Sequence, residues 1–141
     1  MKNKQFQKDY SMAVKACEVL DDNKAEDVSL IDVSYMSNLA DYFIIATANS
    51  TVHNKALVDK IEQAIEEMGQ KVIRRDGLSE GRWTVLDYGN LIIHVFTQEL
   101  REFYHLEKIW NDGKNVLNMQ GVTKLKEQSI KDNQEDVQKD N

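Results

Sequence analysis

The 141-residue chain has no proline and a single cysteine. Without proline, no X–Pro isomerisation can slow folding, and helix ends must be set by caps and glycines. With one cysteine, no internal disulfide can form. Cys17 falls on the apolar face of a predicted helix and reads as a small buried hydrophobe, which suits a reducing compartment. No run approaches eighteen apolar residues, so no membrane span is expected. The opening MKNKQFQKDY lacks the apolar core of a signal peptide, and a cytoplasmic location is expected. Positive charge is also short: 18 Lys and Arg stand against 24 Asp and Glu, a net charge of -6. That balance speaks against nonspecific binding to a phosphate backbone and favours a neutral or basic partner.

What is present is an ordinary globular mixture, 41% hydrophobic and 30% charged, enough to bury a core without staples. Lys4 to Leu20 predicts a helix, with Phe6, Tyr10, Ala13, Val14, Cys17 and Leu20 on one face. Asp27 to Val33 alternates imperfectly and predicts a strand. Asp41 to Ala48, DYFIIATA, is almost continuously apolar, which predicts a central strand buried on both faces. Asn49, Ser50 and Thr51 offer caps for a long helix with Val52, Ala56, Leu57, Ile61, Ala64, Ile65 and Met68 inward. Gly69 ends it as a left-handed C′ glycine.

Lys71 to Arg75 predicts a short strand. Arg82 to Asp87 and Leu91 to Phe96 predict a hairpin around Tyr88-Gly89-Asn90. Thr97 caps a helix from Gln98 that carries Leu100, Phe103, Tyr104, Glu107 and Trp110 on one side. From Lys114 the chain turns polar. A marginal helix near Thr123 to Ile130 and disorder beyond it are expected, with 1–113 as the domain and 114–141 as a tail. The order α-β-β-α-β-β-β-α implies an α/β (α+β) fold with a mixed sheet of about five strands flanked by helices.

Catalytic signals are sparse. His53, His94 and His105 share no metal-ligand spacing with one another or with Cys17, so no metal site is expected. His94 alternates with Ile92 and Phe96 and reads as a hydrogen-bonded, half-buried histidine. Ser50 starts a helix after a buried strand, the geometry of an anion site, but Ala48-Asn49 precede it where a phosphate cradle needs glycine. Capping is the better reading. Asp32, Asp41 and Asp87 form no D-x-D pattern for magnesium. The aromatics say more. Both tryptophans, Tyr88, Tyr104, Phe96 and Phe103 fall between Gly81 and Trp110. Phe103 is expected in the core with Leu91, Ile93 and Val95. Trp83 near a loop and Tyr88 on a turn are harder to bury, and exposed Trp and Tyr are interface anchors.

Three stretches carry a resemblance: ADYFIIATANST, GRWTVLDYGNLIIHVF and REFYHLEKIW. They resemble the ribosomal silencing factors, the Iojap or RsfS family, over roughly Lys15 to Gly113. Asn49 stands where glycine is usual in that family, Asp76 where glutamate often precedes Gly77, and Asn90 where aspartate is usual. The resemblance implies a nucleotidyltransferase-like fold without an enzymatic role or cofactor. It implies binding to the large ribosomal subunit through its protein L-fourteen, a block on joining with the small subunit, lower translation under scarcity, and homodimers. Carried over by motif, Trp83, Asp87, Tyr88, Arg101, Tyr104 and Glu107 are the candidate partner-binding residues. Trp83 and Tyr88 would anchor, and Asp87 and Glu107 would meet basic side chains. The rival reading is a nucleotidyltransferase-like enzyme acting on a nucleotide, resting on Ser50, Asp41 and Asp87. It lacks the glycine-serine turn and the carboxylate pair on the next strand that such enzymes generally need.

Overall fold

The computed structural model describes residues 4–128, with side chains from residue 10 onward. Its elements run α1 (Lys4–Asp22), β1 (Glu26–Asp32), β2 (Tyr42–Ala48), α2 (Thr51–Glu67), β3 (Arg74–Asp76), β4 (Trp83–Asp87), β5 (Leu91–Thr97), α3 (Gln98–Tyr104), α4 (Leu106–Trp110) and β6 (Val116–Leu117). Residues 119–128 are helical. The sheet is mixed, as expected, but has six strands in the order β3-β4-β5-β2-β1-β6. Only β2 and β5 pair in parallel; β1–β2, β1–β6, β3–β4 and β4–β5 are antiparallel.

β2 is buried at every position, because its continuous apolar run serves two cores. On one face Leu30, Ile44, Leu86, Ile93 and Val95 meet Ala13, Cys17 and Leu20 of α1 and Leu57, Ile61 and Ile65 of α2. On the other, Ile31, Phe43, Ile45 and Phe96 are covered by Leu100, Leu106 and Trp110. β1 reaches both cores by alternation, with Val28 and Leu30 on one face and Ile31 on the other; its pairing shifts between Glu26 and Ser29, where Asp27 adopts a positive φ of 48°. Burial pushes the Cys17 thiol up to about 12, so it is inert as a nucleophile.

Ser50 does cap α2, its side chain accepting from His53 N–H. The inward stripe of α2 is rotated from the expected one. Asn54 and Val58 are buried, whereas Val52 is 76% exposed. Asn54 is admitted because both ends of its amide are engaged. Its Nδ2 donates to the Val95 carbonyl at 2.9 Å, and its Oδ1 accepts from Thr84 Oγ1 at 2.8 Å. At the far end Gly69 (φ 90°) donates to the Glu66 carbonyl and Gln70 N–H to the Ile65 carbonyl, the expected glycine stop.

Four expectations need correction. β3 is Arg74–Asp76 rather than Lys71–Arg75, because Val72 turns into the first core and pairing with β4 begins around Ile73. The single helix from Gln98 breaks at His105, which is left-handed (φ 46°, ψ 45°). Phe103, expected in the core, is 75% exposed. Residues 114–128 are not a loose tail. β6 adds to the sheet beside β1, Val122 is buried, and Lys126 pairs with Glu18 at 2.6 Å. The expectations for Phe6, Ile130 and the disordered end lie outside the described side chains and residues.

Candidate partner-binding face

The β4–β5 hairpin builds the site by alternation. Trp83 pairs with Phe96, Val85 with His94 and Asp87 with Ile92, so these six side chains share one face. Thr84, Leu86, Ile93 and Val95 turn to the other. The hairpin turn is held by Tyr88 N–H to the Leu91 carbonyl at 2.9 Å and Gly89 N–H to Asp87 Oδ1 at 2.8 Å.

Trp83 is half-buried and organises an aromatic ledge. Its indole stacks on Phe96 at 4.8 Å and meets Tyr104 at 4.9 Å. Tyr104 is 47% exposed and touches Phe103 edge-on at 5.0 Å. Trp83 Nε1–H donates to His94 Nδ1 at 3.1 Å. An indole nitrogen can only donate, so Nδ1 is the acceptor and the imidazole is neutral with its proton on Nε2. Burial lowers the His94 pKa from 6.5 to about 4, which keeps that form. Trp110 covers Phe43 edge-on at 5.1 Å.

Beside the ledge the sheet face is open. A shallow depression of about 300 Å³ is walled by Phe43, Val85, Ile92, Leu106 and Trp110, with His94 facing it and Arg74, Asp76 and Asp87 at its rim. Asp87 is half-buried there. Sequence reasoning missed Arg74, Asp76 and Phe43; the run through β2 could have pointed to Phe43, whereas the three exposed residues of β3 carry no such pattern.

The remaining candidates lie elsewhere. Tyr88, expected to be hard to bury on its turn, is 4% exposed and packs in the first core. The turn tucks its ring inward toward α2, and burial followed by the Glu62 charge drives its pKa up. Arg101 is 8% exposed. Its Nη1 donates to the Asp27 carbonyl at 2.5 Å and to Thr47 Oγ1 at 2.9 Å, and its Nε pairs with Glu107 at 3.4 Å. Arg101 and Glu107 therefore bind α3, the turn at His105 and α4 to the sheet. Trp83, Tyr104 and Asp87 come together on one face; Tyr88 and Arg101 do not reach it.

Of the features behind the enzymatic reading, Ser50 is taken up in capping α2. Ser50 Oγ accepts from His53 N–H, and His53 in turn accepts from Asn49 N–H at 2.8 Å and reaches the Asn23 carbonyl at 2.8 Å. Among the described residues no group of three or more His, Cys, Asp or Glu could hold a metal ion. No helix among them is long and apolar enough to cross a membrane.

A family model described as "Ribosomal silencing factor during starvation" matches residues 6–141, including the tail that the motifs leave out. The chain is 38% identical over 101 residues to the ribosomal silencing factor of Bacillus subtilis, covering 72% of this chain and 83% of that one. It is 34% identical over 107 residues to the silencing factor of Halalkalibacterium halodurans, covering 76% and 91%. Among solved structures, a crystal structure of a Chromobacterium violaceum protein is similar with a TM-score of 0.70 and 28% identity, covering 72% of this chain and 85% of that one. With a match across nearly its whole length, this chain belongs to the ribosomal silencing factor family.

Proposed function

We propose that the chain acts without catalysis, by occupying the face of the large ribosomal subunit that meets the small one. It docks on the ribosomal protein L-fourteen and blocks subunit joining by exclusion. The observation that carries this reading is the aromatic ledge of Trp83, Phe103 and Tyr104 beside an open, carboxylate-rimmed sheet face. A partly exposed Trp83 on a rigid hairpin and Tyr104 on the helix that follows it make anchors at low entropic cost. The net charge of -6 suits a basic partner and favours fast encounter. Tyr88 and Arg101 serve the same surface from behind, by holding the hairpin turn and the α3–α4 cover in place.

The chain acts as a homodimer in the cytoplasm. Leu39 and Ile109, exposed at 77% and 65%, are the apolar side chains such a dimer would cover. Its mass in solution is read directly by light scattering. The silencing reading is tested by sedimenting mixed purified subunits with and without the protein. It predicts fewer joined ribosomes as the protein saturates large subunits. An unchanged joined fraction at saturation refutes it. Trp83→Ala and Tyr104→Ala are each expected to weaken binding by about 2 kcal/mol.

A further inference from the structure

The depression beside the ledge combines three features that no single core role explains. Its floor is apolar and aromatic, with Phe43 and Trp110 in edge contact. Its rim carries Asp76 and Asp87. Register places Asp76 opposite Val85 and Asp87 opposite Arg74, so the two carboxylates are diagonal neighbours, about 7 Å apart at the backbone. Arg74 lies between them and its Nε is 3.8 Å from Asp76 Oδ2, with both side chains more than two-thirds exposed.

The third feature is His94. It is 9% exposed and lines the depression. Its Nδ1 is taken by Trp83, which fixes the proton on Nε2. That N–H has no hydrogen-bond partner among the described residues. This donor opens onto the depression without a protein partner, so water meets it until an acceptor from a partner takes its place. An anionic ligand could supply one, but it would meet two carboxylates against a single arginine. A purely apolar side chain would leave the N–H stranded.

We propose that this depression receives one basic side chain of a protein partner. The aliphatic stem lies over Phe43 and Trp110, the charge sits between Asp76 and Asp87, and a main-chain carbonyl beside it accepts from His94 Nε2–H. The proposal rests on reading this face as the partner-binding surface and names what that surface takes. Arg74 is then an internal competitor for the two carboxylates, displaced when the partner's cation enters. Its removal should strengthen binding, the opposite of what an anion site would show.

The test uses the full chain and three capped tripeptides, acetyl-Gly-Arg-Gly-amide and its glutamate and leucine counterparts, titrated by NMR. The Trp110 indole and His94 ring resonances should shift saturably with the arginine peptide and not with the other two. Asp76→Asn combined with Asp87→Asn should weaken that binding about tenfold. The amide oxygen introduced at position 87 still accepts from Gly89 N–H, so the thermal melt should stay in place. Arg74→Gln should tighten binding. No shift with the arginine peptide, an equal shift with glutamate or leucine, or weaker binding in Arg74→Gln overturns the proposal. Sedimentation with large subunits separates the two readings. If the parent binds and the doubly substituted variant binds as well, the pocket is wrong and the silencing reading stands. If the parent does not bind, the silencing reading fails, and the peptide titration still decides the pocket.

Discussion

Acid should destabilise this protein through His94 before the carboxylates do so. The imidazole is buried and neutral, accepting from Trp83 Nε1–H, and its pKa falls from 6.5 to about 4 on folding. Below pH 6.5 the unfolded chain takes up a proton that the folded chain refuses. Stability is therefore fully present above pH 6.5 and is lost as pH falls toward 4. Each pH unit in that window is worth about 1.4 kcal/mol. The expected loss is on the order of 1 kcal/mol at pH 5.5 and about 2 to 3 kcal/mol at pH 4.5. Protonation also converts Nδ1 from acceptor to donor, so it opposes the indole N–H and loosens the ledge. His94→Asn is the control, since an amide oxygen can take the indole hydrogen bond and does not titrate. Arg74, Asp76 and Asp87 face the same depression and are unchanged in the variant, so their contribution cancels. Urea unfolding followed by tryptophan fluorescence, from pH 7.5 to 4.5, gives both curves. The parent should lose its advantage over His94→Asn as pH falls. Parallel curves would refute the assignment of a buried neutral imidazole.

Three further outcomes are expected. Arg101→Met leaves the Glu107 carboxylate, the Asp27 carbonyl and Thr47 Oγ1 without their cation, and should cost about 3 to 5 kcal/mol in urea unfolding. Gly77→Ala should cost more than about 2 kcal/mol, because a Cβ there meets the Trp83 carbonyl at a positive φ of 80°; Gly113→Ala, also at positive φ but in open space, should cost about 1 kcal/mol by the same assay. Tyr88→Ala should cost about 3 to 5 kcal/mol as a core deletion, whereas Tyr88→Phe removes a buried hydroxyl that has no partner and should be neutral or stabilising.

Much of the frame was legible in the sequence because it depends on local pattern. The apolar run of β2 announced two covered faces, and Ser50 and Gly69 bounded α2 by cap chemistry alone. The hairpin alternation put Ile92, His94 and Phe96 together. What was not legible depended on partners distant in sequence. Asn54 looks like a surface residue until the Val95 carbonyl and Thr84 hydroxyl are brought to it. Tyr88 looks exposed on a turn until that turn is folded back over α2. Asp76 and Arg74 join the candidate site only through pairing with β4, which a short, fully exposed edge strand gives no periodicity to foretell.

The break at His105 shows why the aromatics divide as they do. On one continuous helix, at about 100° per residue, Leu100 and Leu106 would point about 120° apart, so both could not lie flat on the same sheet face. The structure seats both, together with Trp110, against the second core. It does so by placing His105 in the left-handed region, at a cost of about 1 to 2 kcal/mol. Burying parts of two large apolar side chains offsets that cost, and Arg101 with Glu107 clamps the two short helices across the turn. The same turn leaves Tyr104 against Trp83 and Phe103 edge-on against Tyr104, on the exposed side of α3. A helix that covered the core better would have buried the ledge. The local backbone strain and the exposed aromatic surface are thus two consequences of one packing solution.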